Sequence, residues 1–206
     1  MTASLVKDIN SGSSSSDIVM GDNQDGRSIV YNGYLYFQAT DGTNGNELWK
    51  TDGTTDYTSL VFDTNEGNDG GGVGNLAVSG DYLYYSAYAK TDAGGTLGQE
   101  IHRYDGNNVE VINLDQSISS TDPMYITPVT TGSHGDGIIF RGNIANEAGT
   151  ELQFLPNQGQ GAEDVLTIDI DPGTGSSQPT IFNTLSSGEG KYFPISADTV
   201  SYTHLR

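Results

Sequence analysis

The chain contains no cysteine. That excludes a disulfide framework and any thiolate metal site. Basic residues are scarce: 8 Lys and Arg stand against 27 Asp and Glu, for a formal net charge of −19. Nucleic acid and anionic membrane surfaces are therefore disfavoured partners, because binding them requires Lys and Arg to displace counterions. The acid excess suits divalent cations or basic partners, and equally suits a coat that only solvates the protein in salty water. Long apolar runs are missing too. No stretch approaches the roughly 18 residues of a membrane-spanning helix, so no membrane insertion is expected. The opening MTASLVKDIN has no basic region followed by an apolar one, so it does not read as a signal peptide.

What the chain does have is glycine and tyrosine, 28 and 12 in 206 residues. The glycines point to tight turns rather than long helices. The apolar fraction is only 34%, yet its placement is ordered. RSIVY and YLYFQA flank Asn32-Gly33, the strongest short hairpin signal available. DGTNGN then reads as loop, ELWKT as strand, Asp52-Gly53 as turn, and SLVFD as a fourth strand.

The same order recurs. NLAVS, YLYYSAYA, QEIHRY and VEVINLD form a second unit, and MYITPVT, GIIFRG, TELQFL and DVLTIDI a third. TIFNTL and KYFPIS open a fourth, while SLVKDIN at residues 4–10 nearly copies SLVFDTN at 59–65. Three anchors set the spacing. Phe37, Tyr85, Phe140 and Phe193 step by 48, 55 and 53; Glu47, Glu100 and Glu151 by 53 and 51; Asp8, Asp63, Asp115 and Asp169 by 55, 52 and 54. A period of about 52 residues built from four short strands predicts propeller blades or stacked β units. One such sheet cannot bury both faces alone and needs a neighbour on each side.

The expected fold is therefore all-β: four-stranded antiparallel meanders forming a partial, or four-bladed, β-propeller. The units are residues 27–65, 74–115 and 124–171, with an incomplete fourth at 180–206. Residues 1–10 act as the last strand of a preceding or closing blade. A chain that opens on a fourth strand reads as part of a longer array, or as a ring whose ends interlock.

YLYFQATDGTNGNELWKTDGT, SLV and the opening LVKDIN resemble the ELWxTDGT-type, hyalin-related repeats of large secreted bacterial proteins. The match is close over about residues 1–65 and degenerate but in register to about 200. The second copy has EIHRYDG and the third ELQFLPN, so Trp49 is not repeated. The resemblance implies a propeller-like repeat within a longer extracellular or cell-surface protein, monomeric, with its export signal outside these residues. It implies adhesion or scaffolding on an extracellular protein or glycan, and no single activity.

In a meander of this kind the first-to-second and third-to-fourth turns share one face. Here they are tight. The second-to-third loops and the unit connectors share the other face, and these are long and acidic. Function tends to sit on long loops carried by a rigid scaffold. Calcium is the candidate cofactor, because Asp, Asn and Gly loops supply hard oxygens. Its candidate ligands are Asp41, Asn44, Asn46 and Glu47, with Asp92, Glu100, Glu147 and Glu151 as echoes. The competing reading makes the loop Asp and Asn turn formers, and each Glu an acceptor of backbone N–H bonds at a strand start. The EF-hand pattern fails, since Gly21 and Asn32 occupy its first and twelfth places.

No catalytic constellation emerges, and the chain reads as non-enzymatic. A sialidase-like hydrolase needs converging arginines, and Arg27, Arg103 and Arg141 fall on non-equivalent strands. His102, His134 and His204 have no paired ligand spacing. Ser133, His134 and Asp136 are neighbours in one turn, whereas a triad needs side chains that converge in space. Gly70–Gly74 precedes no helix, so it is not a phosphate loop. Trp49 with Tyr34, Tyr36 and Phe37 reads either as a sugar-stacking platform or, preferably, as packing between units. A calcium-stabilised carbohydrate-binding propeller is the alternative to a plain adhesion module.

Overall fold

The computed structural model describes residues 4–18, 28–67, 69–90, 94–114, 120–131, 135–143, 152–159, 164–169 and 180–182. These residues form strands and connecting loops, with no α-helix among them. The first sheet is a meander of β1 (Ser28–Tyr31), β2 (Tyr34–Thr40), β3 (Asn46–Thr51) and β4 (Ser59–Phe62). The second repeats it with β5 (Gly74–Ser79), β6 (Tyr82–Lys90), β7 (Thr96–Tyr104) and β8 (Val109–Ile112). The third holds β9 (Met124–Thr131), β10 (Gly135–Arg141), β11 (Leu152–Pro156), β12 (Leu166–Asp169) and β13 (Thr180–Phe182). Every pairing is antiparallel between neighbours in sequence.

The turns follow local chemistry. Asn32 and Gly33 both take positive φ, 47° and 82°, which matches a two-residue hairpin loop to the twist of its strands. Thr180–Phe182, expected to open a fourth unit, pairs with β12 and forms the outer strand of the third sheet. The remainder of that unit lies outside the described residues. Residues 4–10, expected as a strand, lie as irregular chain against the first sheet. Lys7 Nζ donates to the Thr58 carbonyl at 2.5 Å, and Ile9 packs beside Phe37, Ala39 and Trp49.

Strand alternation decides how the sheets meet. In β6, Leu83, Tyr85 and Ala87 point to the first sheet and join Tyr36 and Leu48. Tyr84 points the other way and joins Ile138, Phe140 and Leu155 of the third sheet. All four of these β6 side chains are fully buried. The second sheet is thus covered on both faces, and its near-continuous apolar run reflects that.

Polar ties cross the same seams. The Tyr31 hydroxyl donates to the Asp81 carbonyl at 2.5 Å. Ser79 Oγ donates to the Gly137 carbonyl at 2.7 Å, and Asn157 Nδ2 to the Ser79 carbonyl at 2.9 Å.

Candidate functional site

The long-loop face is built by the segments that lead into each sheet. Each makes the same backbone bond to the end of the next second strand or just beyond it. Thr40 N donates to Ser16 O at 2.8 Å, Tyr88 N to Gly71 O at 2.7 Å, and Asn143 N to Thr121 O at 2.7 Å. Each of the later two segments also bonds back to the preceding third strand: Gly71 N donates to Asn46 O, and Asp122 N to Gln99 O. Asn10 and Asn65, equivalent in SLVKDIN and SLVFDTN, each close their own segment. Their Nδ2 atoms donate five residues on, to Ser15 O at 2.8 Å and Gly70 O at 3.2 Å.

A cleft of about 460 Å³ opens where the first two of these segments meet the β2–β3 loop. It is lined by Asn10, Ser14, Ser15, Asp17, Thr40, Asn46 and Asp69, together with Gly42, Gly45 and Gly70. The lining is polar and carries no aromatic ring. Asn46 Oδ1 is shut off from solvent there and has no hydrogen-bond donor.

The residues singled out in the sequence divide among different tasks. Asp41 and Asn44 come together in a turn. Asp41 Oδ1 accepts from Thr43 N at 2.8 Å and Asn44 N at 2.9 Å, while Oδ2 accepts from Asn44 Nδ2 at 2.8 Å. Partial burial pushes the Asp41 carboxyl up, but these N–H donors outweigh it and hold the group below its ordinary value. Asn46 lines the cleft. Asp92, Glu147 and Glu151 lie outside the described residues.

Glu47 and Glu100 occupy equivalent places on β3 and β7, both fully buried. Each reaches the segment that follows its own sheet. Glu47 Oε2 accepts from Thr64 N at 3.2 Å and Thr64 Oγ1 at 2.6 Å. Glu100 Oε1 accepts from Thr121 N at 3.2 Å, and its Oε2 from Thr121 Oγ1. Burial raises the Glu47 carboxyl to about 6; Thr64 and Asn65 pull it down, and Asp63 pushes it further up. The two glutamates therefore latch each sheet to its outgoing segment. The glycine at 71 makes room for this, since a Cβ there would stand 2.0 Å from Thr64 Oγ1 and 2.4 Å from Glu47 Oε2.

The other chemical candidates are inside the stack. Arg103 is buried, donates from Nη1 to the Asn157 and Gly159 carbonyls at 2.6 and 2.8 Å, and pairs with Glu110 at 2.6 Å. Its guanidinium also lies over the Tyr82 ring. Arg141 is on β10, and Arg27 lies outside the described residues. His102 stacks on Tyr85 with ring centroids 5.0 Å apart, and burial pushes it down to about 4. His134 and His204 lie outside the described residues, as does Ser133; Asp136 accepts from Thr130 Oγ1 at 2.6 Å. Trp49 and Phe37 pack on one face of the first sheet and Tyr36 on the other, so the aromatic group forms no single platform.

The cleft, the threonine partners and the Arg103–Asn157 tie join residues far apart in the sequence and have no counterpart among the motifs. The repeated Asn of DIN and DTN was the one local signal for the first of these.

The fold and this face define an all-β protein of consecutive antiparallel sheets with a polar, acidic loop side. No family model, curated protein or solved structure matches the chain. Among the described residues no helix is long and apolar enough to cross a membrane.

Proposed function

We propose that the chain is a non-enzymatic binding or scaffolding module, made of successive blades of a propeller-like array and displayed outside the cell. One observation supports this reading above the others. The same backbone clamp recurs at Thr40, Tyr88 and Asn143, and it holds a rigid stack against which the long loops are set. Among the described residues, Trp49, Arg103, His102, Glu47 and Glu100 serve that stack. The long loops are left free for recognition, as in scaffolds whose recognition is carried by connections. The partner is an extracellular protein or glycan that meets the cleft between Asn10, Thr40 and Asp69. The repeated spacing and the resemblance of ELWKTDGT to secreted repeats support the same assignment.

The test is a binding screen of the labelled chain against immobilised glycans and extracellular matrix proteins. Asp17→Ala with Asp69→Ala alters the cleft, and Asp56→Ala alters a loop on the tight-turn side. Binding lost in the first variant and kept in the second is the expected result. Equal binding by both, or loss in Asp56→Ala alone, would move the interaction away from the long-loop face.

A further inference from the structure

The identity of the partner group rests on the reading of the long-loop face as the recognition surface, and it follows from the chemistry of the cleft. Asn10 lines the cleft and is 9% exposed. Its Nδ2 donates to Ser15 O at 2.8 Å, which fixes the orientation of the amide. Oδ1 is the remaining polar atom, and it accepts no hydrogen bond from the described residues. Unlike Asn46 Oδ1, it is not shut off from solvent. It sits against Gly42, where a Cβ would stand 2.7 Å from it.

Two carboxylates share this lining. Asp17 follows the clamp at Ser16 O and takes a left-handed backbone, φ 43°. Gly72 and Asp122 hold the same place after Gly71 O and Thr121 O, with φ 59° and 45°, so the repeated segment fixes where Asp17 stands. Asp69 enters from the segment before β5. Both aspartates are exposed, and neither carboxylate accepts a hydrogen bond or pairs with a cation among the described residues. Asp41 is different, because its own turn engages both oxygens.

Every charged side chain in the lining is negative, and no aromatic ring is present for a sugar to stack on. The volume of about 460 Å³ lies within the range of ligand pockets, roughly 300–1,000 Å³, and exceeds what a bare ion fills. Carboxylate and amide oxygens are acceptors. Their complement is a positive group with several donors, carried on a stem long enough to enter. A guanidinium offers five donors in a planar fork, and an ammonium three. We propose that the cleft receives an arginine or lysine side chain from a basic segment of a partner protein. Asp17 and Asp69 supply the charge, and Asn10 Oδ1 supplies a fixed acceptor. The net charge of −19 steers such a segment toward the face.

Calorimetry of the intact chain with the capped peptides GRGRG and GQGQG, at about 0.15 M salt, tests this. The expected result is one saturable site for the arginine peptide and binding at least about tenfold weaker for the glutamine peptide. Asp17→Asn with Asp69→Asn should weaken the arginine peptide about tenfold. Ser14→Trp, which fills the cleft without changing the charge, should do the same. Asp52→Asn with Asp56→Asn removes as much charge from the tight-turn side and should leave the affinity unchanged. Ser14, Asp17 and Asp69 are exposed, and should one cleft variant fail to fold, the other carries the test. Equal affinity for the two peptides, binding that survives Ser14→Trp, or an equal loss in the Asp52 and Asp56 variant overturns the proposal. Glycan binding lost in the cleft variants, with no response to the arginine peptide, overturns the cationic partner and keeps the cleft as the recognition site. If the cleft variants change the binding of no partner, the long-loop reading falls with it.

Discussion

Arg103 shows how a residue that resembles a ligand-binding group is consumed by architecture. Its guanidinium has a planar fork of donors, and three of its partners are the carbonyls of Asn157 and Gly159 and the carboxylate of Glu110. Replacing it with Met keeps much of the volume but orphans two carbonyls at the seam between the second and third sheets. The expected loss is about 3 kcal/mol of unfolding free energy, measured by urea denaturation. A loss within about 0.5 kcal/mol, the range of ordinary surface substitutions, would show that Arg103 is not a structural tie.

His102 carries the clearest pH signature. It is wholly buried, and burial pushes its pKa down from 6.5 to about 4, partly offset by the Glu100 carbonyl. The unfolded chain therefore takes up a proton near 6.5 that the folded chain refuses until about 4. Stability contributed by neutral His102 is full above 6.5 and drains away as pH falls toward 4. Between about pH 7 and pH 5 the loss is about 2 kcal/mol. Glu47 acts in the opposite sense, because its raised carboxyl favours the folded state as the pH falls below about 6. Comparison with His102→Leu removes that shared background. The variant should lose less stability on acidification, and an identical slope would contradict the assignment.

At the scale of elements, the segments between sheets matter as much as the strands. Gly71 bridges Asn46 O and Tyr88 N while its Cα faces the Glu47 latch. Gly71→Ala drives a methyl group into Thr64 Oγ1 and Glu47, so it should cost about 2–3 kcal/mol. Gly33 also has positive φ but open space around it, so Gly33→Ala should cost only about 1 kcal/mol through backbone strain. Melting of the two variants checks the order; equal shifts would mean the latch yields easily.

Much of this level was readable from local sequence. Asn32-Gly33 announced its hairpin, alternation in YLYFQA and YLYYSAYA marked strands, and the spacing of Glu47 and Glu100 placed them equivalently. Those signals act over a few residues, where turn and pleat chemistry dominates. The partners of those glutamates were not readable, because Thr64 lies 17 residues from Glu47 and Thr121 21 residues from Glu100. The cleft is harder still. It joins Asn10, Thr40 and Asp69, which only tertiary packing brings together. Asp41 stood out as an acidic loop residue, but its oxygens are engaged by its own turn. Residues 4–10 copy the sequence of β4 and its neighbours without its ladder, since a strand requires a partner and not merely a pattern.

At the scale of the whole molecule, the second sheet is the keystone. Both its faces are buried, and polar ties enter it from both sides through Tyr31, Ser79, Tyr84 and Arg103. A stack of this kind gains its stability from neighbours, so the sheets should not open independently. The buried Tyr84, Tyr85, Leu83, Ile138 and Phe140 side chains join the three sheets into one continuous scaffold among the described residues. Amide hydrogen exchange followed by mass spectrometry reads this continuity out strand by strand. β6 and β7 should exchange slowest, and Arg103→Met should accelerate exchange in the second and third sheets together. Independent exchange of the three sheets, or slower exchange in the first sheet than in β6 and β7, would contradict it.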